Sequence, residues 1–423
     1  MKEEFLYYVW QYKLFSTNQL VTTNGNGIQI QKTGVLNKNE GPDFLNAQLI
    51  IDDQLWAGNV EMHVKSSDWY MHKHEQDSNY DAVILHVVWE HDTVIYMANN
   101  CPLPTLVLKD VVRKEVVLNY HQFNFKNSQW IPCEKQINSI DSFLLKNWLE
   151  RLYIERLEQK SILIDTLLKE SNNNYEAVLF QLIAKNFGLK VNGNAFLDLA
   201  KSIDYTIFRK VATRENSLMA LLFGMAGFLD ENIENPYFFK LQEEFRYLKH
   251  KYNLKSLSKN NFLFFRMRPT NFPTIRIAQL VTLFSLHQHL FSKLLKLNTK
   301  VDVYSLLNFS VDDFWQEHYT FETTSKKSPK KLTKSFIDLL LINSILPLKF
   351  VYLRNTGAKN KQSIISLIEQ VAAEKNTIIT RFAELKIPAN NAMESQALLT
   401  LKNNYCKEKR CLDCAIGNRI VRT

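Results

Sequence analysis

The sequence predicts an α+β protein: a mixed sheet in an N-terminal domain, followed by a mainly α-helical domain. Three observations predict it. Short runs rich in β-branched and aromatic residues, bounded by Gly, Asn and Asp turn signals, are confined to residues 1–135. An amphipathic segment with helical spacing precedes them, and from Ser139 onward apolar residues recur at helical period.

Taken in order, residues 4–16 place Phe5, Tyr8, Val9 and Tyr12 on one helical face, and the turn Asn24-Gly25-Asn26-Gly27 ends that segment. Strands are expected over residues 28–36, 45–52, 55–64 and 82–90. Shorter strands follow at 93–97 and 103–108, where Pro102 and Pro104 confine the segment to a turn or a sheet edge. The sheet-bearing domain is expected to close near Trp130-Ile131-Pro132-Cys133, giving a first domain of residues 1–135. In residues 136–400, Phe143, Trp148, Leu152, Leu157 and Leu163 mark a long amphipathic helix whose Glu, Arg and Lys residues form a solvated face. Further helices are expected over 175–187, 194–200, 217–229, 237–251, 274–296 and 336–345, without a fixed repeat. A cysteine-rich tail, residues 401–423, completes the expected organisation and is expected to pack back on the junction between the two domains.

Composition bounds the function. The 423 residues are 46% hydrophobic and 22% charged, as in ordinary globular proteins, and no uncharged apolar run reaches membrane-spanning length. The opening MKEEFLYY lacks the apolar core of a signal peptide, so a cytoplasmic protein with no membrane association is expected. Five cysteines, an odd number, argue for reduced thiols or metal ligation over a disulfide framework. The net charge of +9 favours a polyanionic partner, DNA or RNA.

Residues 40–92 concentrate carboxylates and imidazoles between the strand-like runs. On a strand over 55–64, Glu61, His63 and Lys65 share one face while Val60, Met62 and Val64 take the other. Asp43 stands ahead of the preceding strand, behind the Gly41-Pro42 turn. Two carboxylates so placed suit Mg²⁺ or Mn²⁺, with a neighbouring base to orient water. The pattern resembles the PD-(D/E)XK phosphodiesterase superfamily, with Pro42-Asp43 and Glu61-Met62-His63 in its motif positions. The resemblance implies a restriction-endonuclease-like fold and catalytic roles for Asp43, Glu61 and His63. Where the superfamily has lysine this chain has His63, with Lys65 two residues on, so the base is either of these or neither. The acid that many members carry on a preceding helix maps to Glu4. His72, His74, Asp77, Tyr80, Asp81 and His86 crowd the same region; several also fit a solvated loop, and His86, on an apolar strand, fits a hydrogen-bonded core histidine.

Two later stretches stand out. Arg266, Arg268 and Arg276 cluster about Pro269 and Pro273, which suits flanking phosphates or, equally, a rigid elbow whose arginines pair internal acceptors. Cys406, Cys411 and Cys414 have ligand-like spacing amid lysines and an arginine that lower thiol pKa, and Cys133 is the expected fourth ligand, with Cys101 in reserve, for Zn²⁺ or a 4Fe-4S cluster.

The whole chain also resembles the bacterial family named domain of unknown function 2851, on GPDF at Gly41, GNVEMHVKSSDW at Gly58, HKHEQDSNYDAVILHVV at His72, RMRPTNFPTIRIAQL at Arg266, and SQALLTLKNNYC and CLDCAIG near the end. The resemblance implies one shared architecture and an origin in Bacteroidetes, without an activity. The function expected from the residues is a metal-dependent nuclease acting on nucleic acid. The alternative is a non-catalytic nucleic-acid-binding or scaffolding protein on the same fold.

Overall fold

The computed structural model describes residues 1–123, 129–358 and 362–423, and these divide into two compact units. One is Met1–Trp148 together with Leu401–Thr423; the other is Leu149–Thr400. The tail expected as a separate piece is thus part of the N-terminal unit. The division falls inside a helix instead of near residue 135.

The N-terminal unit is built on one seven-stranded mixed sheet, in the order β1-β2-β4-β5-β6-β7 with β3 pairing β4. Helix α1 (Glu3–Gln11) comes first and buries Phe5, Leu6, Tyr8, Val9 and Trp10. Strands β1 (Leu20–Val21), β2 (Gly27–Lys32) and β3 (Val35–Leu36) follow. The single strand expected over 28–36 is split because Gly34 turns the chain at φ 89°. Strands β4 (Phe44–Ile51) and β5 (Gln54–Lys65) form a hairpin whose turn residues Asp52 and Asp53 both take positive φ. Strand β6 (Val83–Glu90) then pairs β5 in parallel, and β7 (Thr105–Val107) pairs β6 in parallel. A parallel neighbour needs a crossover, supplied here by α2 (Asp68–Met71) and two single 3₁₀ turns. Residues 93–97 form no strand, only an isolated bridge between Tyr96 and Pro102. Helix α3 (Lys114–Gln122), which the sequence pattern did not single out, packs against the C-terminal helix Ala415–Arg422.

Strand β5 is the pivot of this sheet, with an antiparallel neighbour on one side and a parallel one on the other. Over Val60–His63 both faces are buried, because Val60 and Met62 enter the core while Glu61 and His63 are covered on the opposite face. The expected acid-and-imidazole face is therefore an internal pocket instead of an open strand surface. Where β5 meets β6, Gly58 allows close approach: a Cβ there would sit 2.4 Å from Cγ2 of Ile84 and 2.6 Å from the Ala82 carbonyl. Just past the ends of β5 and β6, Asp92 accepts hydrogen bonds from Ser66 Oγ (2.8 Å), the Ser67 amide (2.9 Å) and Ser67 Oγ (2.8 Å).

The described residues of the second unit, Leu149–Thr400, are mainly helical, with irregular stretches over 253–272 and 318–333 and an isolated bridge between His318 and Thr324. Its core includes Glu215–Met225, buried from Ser217 onward, and Pro273–Leu286, buried from Pro273 to Phe284. The first of these ends as Gly227 takes φ 76° and the Phe228 amide reaches back to the Phe223 carbonyl. The helix expected over 274–296 is broken after Leu286, where His287 leaves helical geometry and its Nε2 lies 2.9 Å from the Leu306 carbonyl. The stretch Lys334–Asn355 continues through a π turn at Leu341–Ile345. It has the length and apolarity of a membrane span, but 72% of its most apolar 18 residues are buried inside the protein, as in a core helix.

Gly58→Ala is expected to destabilise the protein by about 1–3 kcal/mol through overpacking, read as a lowered urea midpoint with unchanged slope. Asp92 gives a pH-dependent test. Burial pushes its carboxyl up, but the hydrogen bonds from Ser67 and Ser66 outweigh this and hold it at about 2. A group depressed in the folded state adds stability above its unfolded pKa and loses it as pH falls through the folded one. Asp92→Asn is therefore expected to lower the urea midpoint near neutral pH, and the gap to the parent should close as the pH falls from about 4 towards about 2.

Candidate metal centre

Asp43 immediately precedes β4, and Glu61 lies on β5 beside it. A bulge on β4, where Asn46 takes φ 58°, shifts the pairing so that Phe44 stands opposite Val60. The two acids are then clasped reciprocally. The Asp43 amide donates to Glu61 Oε2 at 3.1 Å, and the Met62 amide donates to Asp43 Oδ2 at 3.0 Å. Glu61 is 5% exposed, so its second oxygen, Oε1, points into the protein and not into solvent.

Helix α1 closes the acid side. Tyr7 donates its hydroxyl to the Asp43 carboxylate, and its ring meets Phe44 edge-on with centroids 6.2 Å apart. One turn earlier, on the same helix face, Glu3 lies near enough to act on Asp43, Glu61 and His72. The helical acid of the site is thus Glu3 and not Glu4. One residue rotates a helical side chain by about 100°, and Glu4 is exposed, lining a separate cavity with Tyr8 and Arg410.

The imidazoles close the other side. His63, 1% exposed, has Nδ1 2.9 Å from His86 Nε2 and Nε2 3.1 Å from His72 Nδ1. Its Nε2 is also 3.6 Å from Glu61 Oε1, and His74 Nε2 approaches the same oxygen at 3.4 Å. His72 and His74 reach this point together because Lys73 between them takes the left-handed conformation, φ 63°. The His74 ring stacks on Tyr80 at 3.8 Å and meets Trp69 edge-on at 5.3 Å, while Trp69 and Tyr80 are anchored with Val83, Ile95 and Leu103. His86, fully buried, is the hydrogen-bonded core histidine that its strand suggested.

His63, His72 and His74 offer ligand atoms that all lie within 4.8 Å of one another, and Glu61 Oε1 stands against two of the three rings. His74 Nε2 is buried without a hydrogen-bond partner, on a side chain 10% exposed. Burial raises both acids: Asp43 is pushed up to about 6, so it stays largely ionised near neutral pH, and Glu61 is raised further by burial and then by Asp43. Burial, followed by the neighbouring imidazoles, keeps His63 and His74 neutral well below the usual histidine range. Neutral imidazoles and carboxylates left without a cation are the donor set a divalent metal takes up, and the orphaned His74 nitrogen marks where such an ion fits.

The remaining predicted residues lie elsewhere. Lys65 is on the same strand face but exposed at its end, with its amide bonded to Asp68. His63 has both ring nitrogens engaged. In the helical unit, Arg276 is 7% exposed and committed internally: it donates to Gln279 Oε1 at 2.9 Å and Asn271 Oδ1 at 2.6 Å and lies 3.9 Å over the Phe336 ring. This corrects the expectation that it is available to phosphate. Arg268 and Arg266 are exposed, and Arg266 takes φ 59° and lies 5.0 Å over Phe265. Cys133, Cys406, Cys411 and Cys414 line one cavity, whereas Cys101 is exposed and apart from it. The charges of the tail do not lower these thiols on balance: Lys402 pulls Cys406 down but is outweighed. Burial, and then the other cysteines, raise Cys133, Cys406 and Cys411, and burial raises Cys414.

No curated protein and no solved structure matches the chain. Residues 3–377 match the family described as "Protein of unknown function (DUF2851)". With that match running over most of its length, the chain belongs to the DUF2851 family.

Proposed function

We propose that the chain is a metal-dependent phosphodiesterase acting on nucleic acid, with an N-terminal unit on the restriction-endonuclease-like plan. The observation that carries the proposal is the convergence of Asp43 and Glu61 with His63, His74 and the exposed His72 around the unpartnered His74 nitrogen. The order of elements supports it: a helix bearing an acid, antiparallel strands bearing two more, then a crossover to a parallel strand. The net charge of +9 suits a polyanionic substrate.

The donor set refines the choice of metal. Mg²⁺ takes almost only oxygen ligands, so of the two expected ions the histidines favour Mn²⁺, although imidazoles suit Zn²⁺, Fe²⁺ and Ni²⁺ better still. Glu61 and Asp43 would hold the ion with His63, His72 and His74. A bound divalent cation would polarise a phosphoryl oxygen and lower the pKa of a water. Tyr7 orients the Asp43 carboxylate, and His86 fixes the ring of His63. Lys65, exposed beyond His63 on the same strand face, is available to a phosphate oxygen. The engagement of both His63 nitrogens favours a positioning role for that residue over general base. The same engagement favours the second reading, a non-catalytic nucleic-acid-binding protein that keeps the metal centre.

Mn²⁺ is expected to bind the metal-free protein in isothermal titration and to support cleavage of single- or double-stranded DNA or RNA. Glu61→Ala and Asp43→Ala are expected to lower Mn²⁺ affinity by about 100-fold or more, since loss of second-shell partners alone costs about 10–100-fold. Both variants should lose cleavage with circular dichroism unchanged. Metal binding with no cleavage of any of these substrates would leave the second reading. Tyr7→Phe, which deletes one hydroxyl, is expected to weaken Mn²⁺ binding by about 10-fold without unfolding the protein.

A further inference from the structure

Far from the histidines in sequence, the N-terminal unit gathers a second set of ligating side chains. Cys133 follows α3, and Cys406, Cys411 and Cys414 come from the tail. All four line one cavity, whose other walls include Pro132, Ile137, Leu401, Tyr405 and Ile416. Cys133, Cys411 and Cys414 are 6–7% exposed, and none of the four forms a disulfide. Four unpaired thiols turned into one apolar pocket satisfy no ordinary packing need, since each is a weak hydrogen-bonding group facing others of its kind.

The backbone around them is shaped to the sulfurs. Cys406 ends a π turn, Leu401–Cys406, which displaces it from the register of a regular helix. Gly417 is pressed against the Cys411 carbonyl so closely that a Cβ would lie 2.0 Å from its oxygen. The Ile416 and Gly417 amides are aimed at the Cys414 sulfur, and the Trp148 indole N–H lies near enough to act on it while being buried without a hydrogen-bond partner. Two amide donors on one sulfur, with an unpartnered indole N–H beside them, suit a thiolate ligand, not a buried thiol.

Size separates the two chemistries that four cysteines take. Around a single zinc ion the sulfurs stand about 2.3 Å from the metal and so about 4 Å from one another, leaving no room for anything water-sized. Here the cavity measures about 10 Å³, the room that one water-sized sphere needs. Among the described residues, the side chains whose ligand atoms close to within 4.8 Å as a group of three are the histidines; the cysteine sulfurs do not. Sulfurs that do not close to that spacing as a group of three are set wider than the about 4 Å around one ion and suit a cluster that places one metal at each cysteine.

We propose that Cys133, Cys406, Cys411 and Cys414 ligate a four-iron, four-sulfide cluster. The cluster fastens the tail to the N-terminal unit. The helix that follows Cys414, Ala415–Arg422, reaches α1 through Arg422 Nε donating to the Tyr8 hydroxyl at 2.9 Å, and α1 carries Glu3 and Tyr7 to the candidate metal centre. The proposal is independent of what that centre does.

The full-length protein, purified without oxygen, tests it by metal analysis, acid-labile sulfide and visible absorption. About four irons and four sulfides per chain, with a broad visible band that bleaches on reduction, are expected. Cys411→Ser should lose the band and most of the iron, whereas Cys101→Ser should keep both. Stoichiometric zinc without iron, two irons per chain, or no metal in the unaltered protein would overturn the proposal, and none of these readings depends on a variant folding.

Discussion

Two backbone amides decide how the N-terminal unit is made. The Asp43 amide is spent on Glu61 and the Met62 amide on Asp43, so each acid is held by the main chain of the strand segment that carries the other. Two carboxyl groups in a buried place repel when ionised and cost several kcal/mol to desolvate. The clasp makes their proximity tolerable, and it exists only because the β4 bulge brings Phe44 opposite Val60. The remaining features of the site are arranged around it: Tyr7 above Asp43, the imidazoles beside Glu61, and the Trp69–Tyr80 cluster behind the imidazoles.

Much of this was legible from the chain and some was not, for identifiable reasons. Alternation within residues 55–64 located β5 and put Glu61 with His63, because strand period is a local property. The acid on α1 was misplaced by one residue, since helical phase depends on which side of the helix meets the sheet. Tyr7, four residues after Glu3, is the signal that fixes that phase in retrospect. The convergence of His72 and His74 was not readable, because it rests on Lys73 adopting positive φ, which lysine does not advertise. The break after Leu286 and the π turns at Leu341 and Leu401 are likewise tertiary outcomes imposed on sequences that satisfy a continuous helix.

At one of its three arginines the elbow takes the internal alternative that the chain left open. Arg276 lies buried on a helix, with Gln279, Asn271 and the Phe336 ring as partners, so its charge is spread over neutral dipoles and an aromatic face. Burial lowers its pKa to about 10, still a cation near neutral pH. A guanidinium placed this way organises its own unit whatever binds nearby.

The assignment of Leu401–Thr423 to the same unit as Met1–Trp148 has a consequence for biosynthesis. The helical unit is one continuous stretch and can fold as soon as it leaves the ribosome. The N-terminal unit is discontinuous: the residues of its sheet precede Leu149–Thr400, but the helix that packs on α3 and three of the four cysteines are translated after that stretch. Its sheet must wait through the synthesis of Leu149–Thr400 with that side of α3 uncovered. During that interval the nascent chain is a natural client for a holdase, and completion of this unit follows synthesis of the helical one.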